Sequence, residues 1–339
     1  MFCCRQNYMK QLLKYLSLVF LLTGQVIIAT AQGEYLKIQH YRVYLGIADD
    51  QQQDWIILRK FDNADKTYLL LVNPQTLETK TDEANLYHVK PVTMAEIRLF
   101  FKNTPYVKAL KQAEKQSGAL QNAGIKSGSL KETGITLTAD LCPSHKPLDR
   151  RIFTAIDSEF KNVKHPAQIA LSVSGVWMQK HNEDLAWLKQ LQRDSEINII
   201  WINHSFNHHV SPTAPLNKNF LLEPGTNINY EVLETEKLML KNGLLPSVFF
   251  RFPGLVSSKK LVYRIIGFGL VSIGTDAWLA KGQQPQAGSI VLIHANGNEP
   301  VGVKDFLKLL ESKSGDIANK QWSLYDLRQS LSEEFGDSN

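Results

Sequence analysis

The chain has 339 residues, 43% of them hydrophobic and 21% charged, an ordinary globular composition that excludes a disordered or fibrous protein. That length suits one large barrel or two domains. The formal charge of +5 invites an anionic partner, but Arg5, Lys10 and Lys14 supply three of those charges in a leader without acids; the remaining +2 or so gives no ground for a nucleic-acid partner.

Residues 1–31 have the three parts of a secretory signal peptide: a basic start, an apolar run from Tyr15 to Ile28, and the small residues Ala29-Thr30-Ala31. This predicts cleavage after Ala31 and a secreted or periplasmic mature chain with no stable membrane span. An uncleaved anchor is the alternative, but the apolar run is short for a span and Gly24-Gln25 interrupts it. Cys3 and Cys4 lie in the leader, so Cys142 alone remains after cleavage and no intramolecular disulfide forms.

Residues 32–133 read as a small α+β region and a linker. Trp55-Ile56-Ile57-Leu58 and Tyr68-Leu69-Leu70-Leu71-Val72 are apolar strand cores, with the turn residues Asp62-Asn63-Ala64-Asp65 between them. A hairpin or small sheet is expected. Met94 to Gln116 has helical character broken by Pro105, and the polar, Gly/Ser/Lys-containing stretch Ser117 to Thr133 suits a linker. No catalytic constellation is visible here. The region reads either as an interaction module or as a lid on the following domain.

From residue 134 to 339 apolar strands alternate with amphipathic helices, the pattern of parallel βα units. Strands are predicted at 135–140, 167–173, 198–202, 247–251, 270–273 and 289–294, and helices at 148–160, 182–193, 230–241, 259–266 and 303–310. Such units build a barrel or an open doubly wound sheet, and both gather ligands at the carboxyl ends of their strands.

That rule brings scattered polar residues onto one rim. Asp140 ends the first predicted strand, His204-Ser205-Phe206-Asn207-His208-His209 follows the third, Arg251 ends the fourth, Asp276 follows the fifth and His294 ends the sixth. Each has a plain structural explanation alone: a helix cap for Asp140, a surface ion pair for Arg251, a satisfied buried imidazole for His294. Two imidazoles four apart at a strand end are a metal-site candidate.

These segments resemble the polysaccharide deacetylase family of the NodB-homology type over about residues 135–331. Leu137-Thr138-Ala139-Asp140 is similar to that family's Thr-x-Asp-Asp strand end, and His204 to His208 matches its His-Ser/Thr-x-x-His motif. Phe250-Arg251-Phe252-Pro253-Gly254 resembles its Arg-x-Pro element, Asp276-Ala277-Trp278 its fourth motif, and Leu292-Ile293-His294 its Leu-x-His. The resemblance implies a distorted (β/α) barrel preceded by the small α+β region. It also implies a hydrolase that removes N- or O-acetyl groups from an envelope or extracellular polysaccharide. In that scheme Asp140 is the general base, Arg251 orients it and keeps it ionised, His294 is the general acid and Asp276 holds that imidazole. His204 and His208 bind a divalent metal, zinc first, and Pro253 and Trp278 border the substrate.

One position departs from the pattern. Where the family has a second acid, this chain has Leu141, which cannot ligate a metal. The third ligand is then His209, Asp140, Cys142 or, by proximity alone, His145; otherwise two histidines and water hold the metal, or none binds. Leu141 also supports a different class of function, a glycan-binding pseudoenzyme of the same fold. The sugar is not legible: the loop 210–229 carries no readable code, although its Pro-, Asn- and Gly-rich part, 212–226, is expected to border the groove because it follows the histidine motif.

Overall fold

The computed structural model of the protein describes Tyr35 and residues 37–129 and 133–336. The leader, with its cleavage point and Cys3 and Cys4, lies outside the described residues. No helix among the described residues is long and apolar enough to cross a membrane.

Five antiparallel strands come first: β1 (Ile38–Asp49), β2 (Asp54–Asn63), β3 (Lys66–Val72), β4 (Thr79–Glu83) and β5 (His88–Pro91), in the order β4-β3-β2-β1-β5. The turn expected at Asp62–Asp65 joins β2 to β3, with Asn63 paired to Lys66 and Thr67 Oγ1 donating to Asp62 at 2.7 Å. Two helices follow, α1 (Met94–Phe100) and α2 (Pro105–Lys115). Thr93 and Glu96 close a capping box on α1, and Pro105 opens α2 at a position whose N–H would have no helical acceptor.

Seven parallel strands form the second sheet: β6 (Thr136–Leu141), β7 (Ala167–Val173), β8 (Ile197–Asn203), β9 (Pro246–Phe250), β10 (Val271–Ser272), β11 (Ala277–Trp278) and β12 (Ile290–His294). Their order is β10-β9-β8-β7-β6-β12-β11. Around them run α3 (Arg151–Phe160), α4 (Gly175–Lys180), α5 (Asn182–Arg193), α6 (Ile228–Lys241), α7 (Lys259–Gly267), α8 (Pro300–Ser312), α9 (Ser314–Ala318) and α10 (Leu327–Phe335). All the predicted strands and helices of this region are present. Additional are β11, α4, α9 and α10, mostly elements too short to carry a periodic signal.

No ladder joins β10 to β11 among the described residues, so the sheet is an incomplete, distorted (β/α) barrel, as expected. The stretch from Ser117 to Ser129, polar enough for a linker, runs along this seam. Ile125 bridges Ile273 on one side and Ser127 bridges Ser289 on the other, while Asn122 pins Thr275 through both its side-chain amide groups.

Alternation along β6 sorts side chains between two layers. Leu137, Ala139 and Leu141 pack outward with Ile152, Phe153 and Phe306 of the helices, and Thr138 and Asp140 face the barrel interior. The interior core is continuous with the first sheet: Ile56 and Leu58 of β2 belong to one cluster with Val248, Phe249 and Phe250 of β9 and Ile265 of α7. A fully buried ion pair crosses the same junction. Arg59 donates from Nε and Nη2 to the two carboxylate oxygens of Glu236 on α6, at 2.7 and 2.8 Å, and from Nη1 to the Phe268 carbonyl at 2.5 Å.

Candidate active site

The carboxyl ends of β6, β8, β9 and β12 carry the site. In the parallel register of β6 and β12, Asp140 stands beside His294, so the two residues are neighbours by strand pairing. Asp140 is buried; its Oδ2 lies 3.6 Å from His204 Nε2 and its Oδ1 has no hydrogen-bond partner. Burial alone would push this carboxyl up, but the Arg251 guanidinium, followed by His204 and His294, brings it below the usual carboxylate range.

Arg251 is itself fully buried. It donates from Nη2 to Thr138 Oγ1 at 2.9 Å, and that hydroxyl donates on to the Val291 carbonyl at 2.6 Å, so guanidinium and carboxylate are held along one face of β6. Arg251 Nε and Nη1 have no protein acceptor. No ion-pair contact joins Arg251 to Asp140 among the described residues, and the influence is one of charge.

His204 is fixed through its other nitrogen, with Nδ1 2.9 Å from the Arg251 carbonyl oxygen, which leaves Nε2 directed at the rim. The loop that follows turns sharply, with Ser205 at φ 66° and His208 at φ 49°. Glu231 of α6 holds it there: its carboxylate accepts from the backbone N–H groups of Phe206 and Asn207, both at 2.9 Å, and from Asn207 Nδ2 at 2.6 Å. Gly175 and Val176 at the start of α4 donate to the carbonyls of Ser205 and Phe206. A Cβ at Gly175 would sit 2.4 Å from the Phe206 ring, so that position admits only glycine without movement.

The two motif histidines come together with a third donor. The His204 and His208 rings have centroids 4.7 Å apart, and Cys142 Sγ lies 3.5 Å from His204 Nε2. Cys142, His204 and His208 each offer a ligand atom within 4.8 Å of the others, and all three are buried. His208 Nε2 has no hydrogen-bond partner. Donor types and spacing therefore fit a divalent cation such as zinc, which takes thiolate and imidazole ligands.

Other sequence expectations fall elsewhere. His209 is exposed and pairs with Glu223 at 2.5 Å, and His145 lines a separate surface cavity with Arg150, His181 and Asp184. Neither belongs to the donor cluster. Asp276, expected to hold His294, lies at the surface and accepts instead from Ser289 Oγ at 3.2 Å. The reason is that the chain turns away after Thr275, whose hydroxyl bonds the Ile290 carbonyl at 2.5 Å. Glu299, at the entry to α8, occupies the position expected of Asp276: its Oε2 lies 2.8 Å from His294 Nδ1 and accepts from Trp278 Nε1 at 2.8 Å. Burial acts to keep His294 neutral, but Cys142, Glu299 and Asp140 outweigh it and raise the imidazole well above its ordinary value. Trp278 is half-buried with its ring 6.0 Å from that of His294, whereas Pro253 is buried beneath the rim. Phe220, from the insert after the histidine motif, packs its ring on His208 and over Gly254, whose φ of 58° and contact with that ring both require glycine. The insert thus reaches the site, as expected.

A model described as "RP012 protein N-terminal domain" matches residues 39–107. Among solved structures, the chain is similar to a family 4 carbohydrate esterase from Bacillus anthracis, with 17% identity over 65% of this chain and 90% of that one, and a TM-score of 0.45. It is similar also to PdaA, a family 4 carbohydrate esterase of Bacillus subtilis, with 16% identity over 66% and 88% of the two chains and a TM-score of 0.45. A third is a family 4 pseudoenzyme from Bacillus anthracis, with 16% identity over 62% and 70% and a TM-score of 0.42. Four of the five motif segments meet on one rim of the incomplete (β/α) barrel, through Asp140, His204, Arg251 and His294, while Asp276 of the fourth lies apart.

Two supporting residues escape sequence reasoning. Glu231 lies on α6 and Glu299 just before α8, outside any strand-end pattern, and only the packing of those helices brings them to the rim. The one signal for Glu299 is its place at a helix start, where an acid commonly caps; it makes no cap here.

Proposed function

We propose that the protein is a hydrolase that removes acetyl groups from an envelope or extracellular glycan. One observation carries this reading: a buried carboxylate, Asp140, and a buried imidazole, His294, stand side by side in register at the mouth of a parallel barrel, beside a cluster of metal-ligand side chains.

Each residue has a chemical task. Asp140, ionised at neutral pH under the influence of Arg251, takes a proton from the attacking water as its oxygen bonds to the acetyl carbon. His294, kept protonated by its acidic neighbours, gives a proton to the leaving nitrogen or oxygen as the bond to the acetyl carbon breaks, releasing acetate and a free amine or hydroxyl. Glu299, 2.8 Å from Nδ1, pairs with the protonated imidazole. The unpartnered N–H groups of Arg251 keep positive charge beside the developing oxyanion. His204 and His208 hold a divalent cation, zinc by preference, which when bound polarises the acetyl carbonyl and lowers the pKa of water. Trp278 offers a face to a sugar ring, and the leader directs the chain to the periplasm or out of the cell.

Release of acetate from acetylated oligosaccharides, before and after chelator treatment and zinc reconstitution, tests this. Asp140→Asn and His294→Ala are expected to abolish release. Undiminished release in the His204→Ala, His208→Ala double variant would remove the metal from the reading. Retained glycan binding with no release under any condition would make the protein a pseudoenzyme.

A further inference from the structure

The missing second acid poses a problem that the donor cluster resolves. Leu141 is fully buried in the outer helical layer, on the face of β6 opposite Asp140, while Cys142 turns to the rim. We propose that Cys142 is the third protein ligand, so that the site is a thiolate-bearing Cys-His-His centre selective for zinc and similar borderline metals over magnesium, calcium or manganese. This rests on the metal-assisted reading above, but its evidence is separate.

The geometry is that of a site. Zinc bonds of about 2.3 Å to sulfur and 2.0–2.1 Å to nitrogen, at a tetrahedral angle, put S and N roughly 3.6 Å apart. Cys142 Sγ and His204 Nε2 stand at 3.5 Å. His208, buried and with its Nε2 unpartnered, closes the triangle. The outer support is built as well: the Arg251 carbonyl takes Nδ1 of His204, and Asn296 Nδ2 donates to the Cys142 carbonyl at 2.7 Å. Three protein ligands leave one position for water or substrate, the arrangement of a catalytic zinc. Thiolate is a soft donor, and replacing a carboxylate with it moves preference away from oxygen-seeking cations.

The test uses the full chain with Cys3→Ser and Cys4→Ser, so that Cys142 is the only thiol. Loading with one equivalent of Co2+ is expected to give a sulfur-to-cobalt charge-transfer band in the near ultraviolet together with visible bands of tetrahedral cobalt. Cys142→Ser is expected to abolish the charge-transfer band. It should also weaken zinc binding by more than the roughly 10–100-fold that loss of an outer partner costs. Zinc is further expected to slow alkylation of Cys142 by iodoacetamide in the otherwise unaltered protein, a readout that needs no folded variant. Cobalt binding without the charge-transfer band, zinc affinity unchanged in Cys142→Ser, or alkylation indifferent to zinc would each overturn the proposal. A normal band with no acetate release would instead overturn only the deacetylase reading.

Discussion

His294 Nδ1 and Glu299 Oε2 stand 2.8 Å apart across the turn that leaves β12. Glu299 sits where a helix-capping side chain would accept from the first turn of α8, yet its carboxylate serves His294 and Trp278 instead. Glu299→Gln removes one of the groups that raise the imidazole. A raised value keeps His294 protonated to higher pH, so its reduction moves the alkaline limb of the acetate-release profile to lower pH while the acid limb, set by Asp140, stays. A profile unchanged on the alkaline side would show that Glu299 does not tune the acid.

Glu231 makes three hydrogen bonds to the loop between the motif histidines and touches neither ring. Glu231→Ala should leave the barrel folded but free the loop, lowering zinc affinity by roughly 10–100-fold. Titration against a competing chelator reads this directly. Because the loop is distorted by two residues at positive φ, it relaxes once the clamp is gone.

An acid at position 141 would not join the donor cluster. Leu141→Asp places a carboxylate in the outer apolar layer, with no partner and no route to the rim. The expected outcome is a loss of about 3 kcal/mol or more in stability, measured by denaturant unfolding, with no gain in metal affinity.

Arg59 and Glu236 tie the first sheet to the barrel. Glu236→Ala leaves a buried guanidinium unpaired and should cost about 3–5 kcal/mol. Removing everything before Gly134 exposes both that carboxylate and the shared apolar cluster, and the remainder is expected to aggregate on expression. A soluble, fully active fragment would contradict this.

Much of the site was legible because parallel barrels place their chemistry at strand ends, and strand ends are marked by where an apolar run stops. Asp140, His204, Arg251 and His294 follow from that alone. His208 follows from its spacing. Asp276 misled because it immediately precedes β11, whose Ala277 pairs with Val291, so it stands level with the start of β12 and not with His294 at its carboxyl end. Cys142 was one of several options because choosing among them depends on which way β6 points each side chain, and that parity is set by packing against α3 and α8. The seam segment looked like a linker because its polar side chains engage backbone, as Asn122 does with Thr275, rather than a hydrophobic face.

The seam segment has a consequence for encounters between molecules. An open parallel sheet ends in rows of unsatisfied N–H and C=O groups that invite a strand from any passing chain. Here Ile125 bridges Ile273 just past the β10 edge strand and Ser127 bridges Ser289 just before β12, so the barrel supplies its own partner at the gap. A stretch that reads as slack between two parts is a self-blocking device, one that denies neighbours a template while keeping the mouth of the barrel open.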